Sequence, residues 1–177
     1  MTAPDGAGTS EAEQRLRTPG VAFLLSQLGG HSSRLWVERL AKRALDAREV
    51  MLLRHVALSE GRSQRELARA VGLPESRIVG IVDRLETRGW VERRMNRRDR
   101  RARALHLTAQ GRAMLTTIMA ISAAHEAELT EGLDAQQRAT LIDLLHSLAL
   151  DQGLVEGVHP GFADERADQT PETSGDL

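Results

Sequence analysis

The sequence lacks residues on which several kinds of chemistry depend. It has no cysteine and no tyrosine, and aromatic residues make up only 2% of its 177 positions. Without a thiol there is no disulfide framework, no thiolate nucleophile and no thiol redox sensor. No apolar run reaches the length of about 18 residues that crosses a bilayer, and the N-terminus lacks the basic start and apolar core of a signal peptide. We therefore expect a cytoplasmic location and no membrane partner.

Signatures of common enzymes and metal sites are also missing. There is no Walker sequence, no "GxSxG", no "HExxH" and no glycine-rich dinucleotide loop. The six histidines are at least 13 residues apart, so no local metal-binding spacing exists. We expect no enzyme activity, no cofactor and no metal site, although His31, His55 and His125 could still meet in three dimensions.

Positive charge is concentrated in the middle of the chain, although the formal net charge is only −1. Residues 61–112 contain 14 arginines and 6 acids, an excess of 14 − 6 = 8 positive charges. From residue 151 onward there are 7 acids and 1 arginine. A local excess of this size indicates an anionic partner. Lys42 is the only lysine, so codon bias toward arginine is an alternative explanation for part of the arginine cluster.

Apolar spacing and capping signals divide the chain into helices and one hairpin. An amphipathic pattern predicts a first helix over roughly 18–43, which Gly29 and Gly30 should weaken or bend. Capping signals, some of them capping boxes, open the later helices at Asp46, Ser63, Thr108 and Asp134. Gly72 ends one short helix, Pro74 suits the first position of the next, and that helix should end at Gly89. Two short strands, "WVERR" and "RALHLT", then flank the polar loop "MNRRDRRA".

This order of elements predicts a winged helix-turn-helix, a mainly α (α+β) fold. The long first and last helices carry more apolar surface than one small core needs, so we expect a symmetric homodimer. The expected segments are a disordered tail at 1–17, a dimerisation helix at 18–45, a winged helix-turn-helix at 46–107, dimerisation helices at 108–150 and an acidic flexible tail at 151–177.

Two long stretches, "SQRELARAVGLPESRIVGIVDRLETRGWVERR" and "RRDRRARALHLTAQGRAML", carry a family resemblance. Because of these two stretches, the region from about 45 to 148 resembles the MarR family of bacterial transcriptional regulators. The resemblance implies a homodimeric regulator of double-stranded DNA with a pseudo-palindromic operator, more often a repressor than an activator. It also implies a ligand pocket near the junction of the dimerisation and DNA-binding regions.

DNA contacts are expected from the second helix of the motif, from the start of the first, and from the hairpin. The family commonly has threonine and arginine where this chain has Val79 and Gly80, so direct base readout falls on fewer side chains. Arg77 could face a guanine or a phosphate, and Asp99 should orient a neighbouring arginine within the wing. The candidate DNA-binding residues are Ser63, Gln64, Ser76, Arg77, Val79, Arg84, Arg97, Arg98, Arg100 and Arg101.

A small anionic or aromatic effector is a further expectation. The candidate ligand-binding residues are His31, Trp36, Arg54 and His55. A different function is also open: the winged helix could bind an acidic protein partner rather than DNA. Steep loss of affinity with salt and a preference over random-sequence DNA would distinguish DNA binding from that alternative.

Overall fold

Six helices and one two-stranded sheet make up the described residues, 19–95 and 103–159, of the computed structural model. The helices are α1 (Val21–Ala41), α2 (Ala47–Leu58), α3 (Gln64–Val71), α4 (Glu75–Thr87), α5 (Ala109–Leu129) and α6 (Ala135–Asp151). The strands β1 (Val91–Met95) and β2 (Arg103–Leu107) are antiparallel, with Val91 opposite Leu107. This arrangement confirms the mainly helical winged helix-turn-helix fold.

Side-chain caps fix where most of the helices begin. Ser63 and Asp134 form complete capping boxes with Glu66 and Gln137, and the Thr108 hydroxyl accepts from the Gly111 amide. Such caps satisfy amides that have no partner inside the helix. The box expected at Asp46 is incomplete.

Asp46 caps α2 alone, because Glu49 turns away from it. The Asp46 carboxylate accepts from the amides of Arg48 and Glu49 at 2.8 and 3.2 Å. The Glu49 side chain, which a capping box would direct back to Asp46, is instead buried between α2 and α4.

Three predicted helix features differ from the structure. The first helix begins at Val21 and continues through Gly29 and Gly30 without a break, since a helical glycine lowers stability without forbidding the conformation. Pro74 is the N-cap of α4 rather than its first residue. The helix ends at Thr87, and Gly89 then takes a left-handed φ of 70° that lets the chain turn into β1.

The hydrophobic core lies among α2, α3, α4, the sheet and the first half of α5. Buried residues are sparse in the terminal helices: Leu40 alone is buried in α1, where it joins this core, and no residue is buried in α6. In the described part of the chain, no helix combines the length and apolarity needed to span a membrane.

Candidate nucleic-acid interface

Helix α4 is anchored on one face and exposed on the other. Four apolar side chains of this helix are fully buried, namely Ile78, Ile81, Val82 and Leu85. On the opposite side Ser76 is exposed and Val79 is 38% exposed, while Arg77 and Gly80 are half-buried. The helix is therefore held rigidly from behind, and the predicted readout residues lie on or beside its open face.

The N-terminus of α3 is already occupied by its own capping residues. The Ser63 hydroxyl accepts from the Glu66 amide, and Glu66 in turn accepts from both the Ser63 amide and its hydroxyl. These hydrogen bonds lower the pKa of Glu66, so the carboxylate stays charged and competes with any anion at this helix end. Gln64 is half-buried. Of the two residues, Ser63 is thus the less available for a phosphate.

The base of the wing is clamped to α4 by an ion-pair network. The Arg93 guanidinium in β1 donates to Asp83 and Glu86, both on α4. Arg94, the next residue, is 57% exposed and pairs with Glu92 on its own strand. Alternation along the strand therefore turns Arg93 toward the protein and leaves Arg94 outside, so only Arg94 of the two is available to a partner.

The second strand of the wing is fixed to the body by Glu60. Its carboxylate accepts from the Leu107 amide and from Arg112, both at 2.9 Å. Partial burial alone would raise the pKa of Glu60, but these hydrogen bonds and the Arg112 charge outweigh it and lower the pKa. Ser63 also forms an isolated antiparallel bridge with Ala104. The start of α3 and the wing thus form one continuous surface with α4.

The tip of the wing, residues 96–102, lies outside the described residues. The predictions for Arg97, Arg98, Arg100 and Arg101 as DNA contacts, and for Asp99 as their orienting partner, fall there and stay predictions.

Arg84, another predicted contact residue, makes two hydrogen bonds to the protein. Its Nε donates to Glu49 Oε1 at 2.9 Å, and its Nη1 donates to the Gly80 carbonyl at 3.3 Å. Arg88 lies near the other Glu49 oxygen, and its guanidinium carbon is 4.8 Å from the centre of the Trp90 ring. Arg84 is therefore held in place, although 52% of its side chain remains exposed.

Comparison with known proteins shows a similarity to one family of regulators. A family model described as the MarR family matches residues 45–102, which contain α2, α3, α4 and β1. A MarR-family regulator from Rhodococcus sp. RHA1 is 29% identical over 80% of this chain and 96% of its own, with a TM-score of 0.62. Over these residues the chain is similar to the MarR family, and its winged helix matches the fold of these regulators.

Two other similar structures contain DNA. A Mycobacterium tuberculosis MarR-family protein in complex with DNA is 26% identical over 74% of this chain and 98% of its own, with a TM-score of 0.64. The transcriptional repressor CouR, bound to a 23-mer DNA duplex, is 27% identical over 81% of this chain and 99% of its own, with a TM-score of 0.65. Both matches thus extend well beyond the winged helix of this chain.

The four predicted effector residues have separate surroundings. His31 Nδ1 lies 3.1 Å from Arg34 Nη2 on the exposed side of α1, and His55 Nδ1 donates to the Met51 carbonyl. Trp36 packs against the core, whereas Arg54 is exposed on α2. No hydrogen bond, ion pair or ring contact within the described residues joins any two of the four.

Trp36 instead meets His125, which sequence reasoning considered only as a metal ligand. The two ring centres are 5.4 Å apart, and His125 Nε2 is 3.1 Å from the Ser32 hydroxyl. Burial lowers the pKa of His125, and the Arg39 charge lowers it further against the opposing effect of Glu128. Because the two residues are 89 positions apart in sequence, only the packing of α1 against α5 could reveal this contact. Residues 19–95 and 103–159 contain no group of three or more side chains suited to a metal ion.

A cleft of about 760 Å³ also lies between α1 and α5. Three cations line one side of it, and threonines and small apolar side chains line the other. The lining residues are Arg39, Lys42, Arg43, Thr116, Thr117, Ala120, Ile121 and Ala124. Within the described residues Lys42 and Arg43 have no ion-pair partner. Sequence reasoning missed this cleft, because its cations follow the apolar stripe of α1 and resemble an ordinary solvated helix end.

Proposed function

We propose that this chain is a sequence-specific DNA-binding transcriptional regulator that acts as a homodimeric repressor. The observation that carries the proposal is the continuous surface formed by α4, the start of α3 and the wing. Two proteins that share this fold over most of their length have been solved with DNA. In this arrangement α4 enters the major groove and the hairpin reaches across the phosphates.

The roles proposed on this surface follow from position. Ser76 and Arg77 lie in the first turn of α4, the part of a recognition helix that contacts base edges. Val79 can contact a thymine methyl group. Arg94 and the arginines of the wing tip would neutralise phosphates and release counterions.

Dimerisation is proposed from the apolar surface that one chain leaves uncovered. In α6, Leu144 and Leu150 are 60% and 63% exposed, and at the start of α1 Val21 and Phe23 are 66% and 60% exposed. Exposed apolar patches of this kind mark protein interfaces. A two-fold pair would cover them and place two α4 helices about one DNA turn apart, roughly 34 Å. A dimer on a promoter would block polymerase sterically.

Release by a small anionic effector is proposed at the cleft between α1 and α5, rather than at the four residues expected from the sequence. The cations of the cleft suit a carboxylate, and its apolar side suits a ring or an aliphatic chain. A ligand there would weaken DNA binding if it favours a spacing of the α4 helices that no longer matches the half-sites. With benzoate as the probe, we expect weaker DNA binding, whereas neutral benzamide should have no effect.

Matched variants locate that effect. Arg43→Ala should abolish the response to benzoate, and Arg54→Ala should leave it unchanged. A response that persists in Arg43→Ala and disappears in Arg54→Ala would instead indicate that the effector binds at the residues expected from the sequence.

The DNA-binding proposal is tested by selecting genomic fragments that the purified full chain binds. We expect a pseudo-palindromic site, and an affinity for it that falls steeply with salt. Arg77→Ala should weaken binding, and Arg34→Ala, on the exposed part of α1, should not. No preference over random-sequence DNA would contradict the proposal and favour the binding of an acidic protein partner.

A further inference from the structure

Glu49 is the one charged residue that is fully buried in the described parts of the chain, with 2% of it exposed. It occupies the first turn of α2, where its backbone amide is capped by Asp46. A carboxylate in such a place is strongly disfavoured unless cations compensate it. The position of Glu49 therefore depends on its partners, and both of them belong to α4 or to its C-terminal end.

The two arginine partners are held unequally. Arg84 makes a hydrogen bond to Oε1 at 2.9 Å, whereas Arg88 Nε lies 3.3 Å from Oε2 in ion-pair range without forming a hydrogen bond. Arg88 has a second attachment, because its guanidinium lies over the Trp90 ring. Glu49 is thus mainly a hydrogen-bond acceptor for Arg84.

Arg84 is fixed at two points and open at a third. Its Nε is bound to Glu49 and its Nη1 to the Gly80 carbonyl, so the guanidinium lies back along α4. Among the described residues, Nη2 has no protein partner. Since 52% of the side chain is exposed, a donor edge of a fixed guanidinium is presented to solvent beside the open face of α4.

We propose that Glu49 is a positioning residue that holds Arg84 ready for a DNA phosphate. The proposal rests on the proposed DNA-binding function and assigns a role within the same surface. Arg84 is the tenth residue of α4, well beyond the first turns that contact base edges, so its partner is the backbone. Fixing a long side chain before binding removes the conformational entropy that it would otherwise lose on contact.

Simple electrostatics predicts the opposite effect for removal of Glu49. Loss of a carboxylate makes the protein more positive by one charge, and this alone should strengthen binding to a polyanion. Positioning predicts weaker binding, because Arg84 keeps its charge but loses its fixed geometry. The sign of the change therefore separates the two effects.

Glu49→Met is the informative substitution. Methionine has a similar length, suits a buried site and accepts no comparable hydrogen bond. Arg84 and Arg88 remain partly exposed and can be hydrated, so no buried charge is left behind. Replacing a buried ion pair by an apolar side chain is often neutral or stabilising. The variant should therefore fold, which thermal unfolding would verify.

The test measures affinity for the selected operator across salt concentrations, for the wild type, Glu49→Met, Arg84→Ala and the double variant. We expect Arg84→Ala to bind about tenfold more weakly, with a salt slope smaller by about 0.9. Glu49→Met should bind about threefold more weakly with an unchanged slope, since the guanidinium charge remains. In the Arg84→Ala background it should cause no further loss.

Two further variants serve as controls. Glu131→Gln removes an exposed carboxylate outside α4 and the wing and should leave affinity unchanged or slightly increased. Glu49→Gln keeps one oxygen acceptor for Arg84 and should fall between the wild type and Glu49→Met.

Several outcomes would overturn the proposal. They are unchanged or tighter operator binding by Glu49→Met, and an equal loss with and without Arg84. A wild-type protein that binds no operator would remove the DNA-binding function as well, whereas wild-type binding with an unaffected Glu49→Met removes only the positioning role.

Discussion

The winged-helix body and the two terminal helices differ in how far their apolar side chains are buried. In the body, formed by α2 to α4, the sheet and the first half of α5, leucines and isoleucines such as Leu52, Ile78 and Leu85 are completely buried. In α6 and at the start of α1, residues of the same kind are 39–66% exposed. The body therefore buries its own apolar side chains, whereas the terminal helices leave many of theirs exposed within the described residues.

The largest expected effect on stability comes from truncating a buried side chain in the body. Leu85→Ala should lower the free energy of unfolding by about 2–5 kcal/mol, because it removes a buried side chain and leaves a cavity. The matched change Leu144→Ala, on exposed α6, should cost the dissociated chain less than about 0.5 kcal/mol. Chemical denaturation at a protein concentration low enough to dissociate the dimer measures both. Similar losses in the two variants would show that α6 belongs to the same core within one chain.

The second prediction concerns a charge placed on the exposed apolar face of α6. Leu144→Asp should raise the dissociation constant of the dimer by about 100-fold, because a carboxylate would be buried without a partner. Ala139→Asp adds the same charge on a face about 140° around the helix from Leu144 and should have a much smaller effect. Sedimentation velocity at several concentrations distinguishes the two. Equal behaviour of both variants would exclude α6 from the interface.

A third prediction concerns the joint between the body and α5. A Cβ on Gly111 would lie 2.0 Å from the Trp90 carbonyl oxygen, so Gly111→Ala requires α5 to move away from the hairpin. We expect a loss of about 1–3 kcal/mol in the free energy of unfolding. Gly80→Ala, whose Cβ would meet nothing closer than 4.0 Å, should instead stabilise α4 by about 0.5–1 kcal/mol. Thermal unfolding of both variants without DNA measures the contrast.

The smallest expected effect is a pH dependence where α1 packs on α5. Because the folded state lowers the pKa of His125, the unfolded chain binds the proton more readily. The contribution of His125 to stability is therefore complete above its ordinary value of about 6.5 and decreases as pH falls toward the lowered value. Arg39 and Glu128 face this ring, and His125→Gln leaves both of their charges in place. The substitution should therefore reduce the change in unfolding free energy over this pH range by less than about 1 kcal/mol. Denaturation between about pH 5 and 8 tests this, and an unchanged profile would contradict it.

The sequence predicted the parts of the molecule that depend on local chemistry. The caps at Ser63, Thr108 and Asp134 are local hydrogen bonds, and the structure confirms them. Helix spacing and strand alternation gave the winged-helix fold for the same reason. Base contacts and wing-tip contacts stay predictions.

The features that sequence reasoning missed depend on residues distant in the chain. "DARE" has the spacing of a capping box, yet Glu49 is drawn inward by Arg84, 35 residues later. The contact of Trp36 with His125 likewise needs the packing of α1 against α5. Neither pairing has a local signal in the sequence, because the residue type does not show whether a carboxylate is buried or exposed to solvent.

Sedimentation equilibrium of the purified full chain measures whether two chains associate, and DNA recognition as proposed requires two body regions joined through the terminal helices. We expect a single species of twice the chain mass of 19.5 kDa at micromolar concentration, shifted to one chain by Leu144→Asp. A species of 19.5 kDa at every concentration, with Leu144→Asp indistinguishable from the wild type, would contradict this expectation.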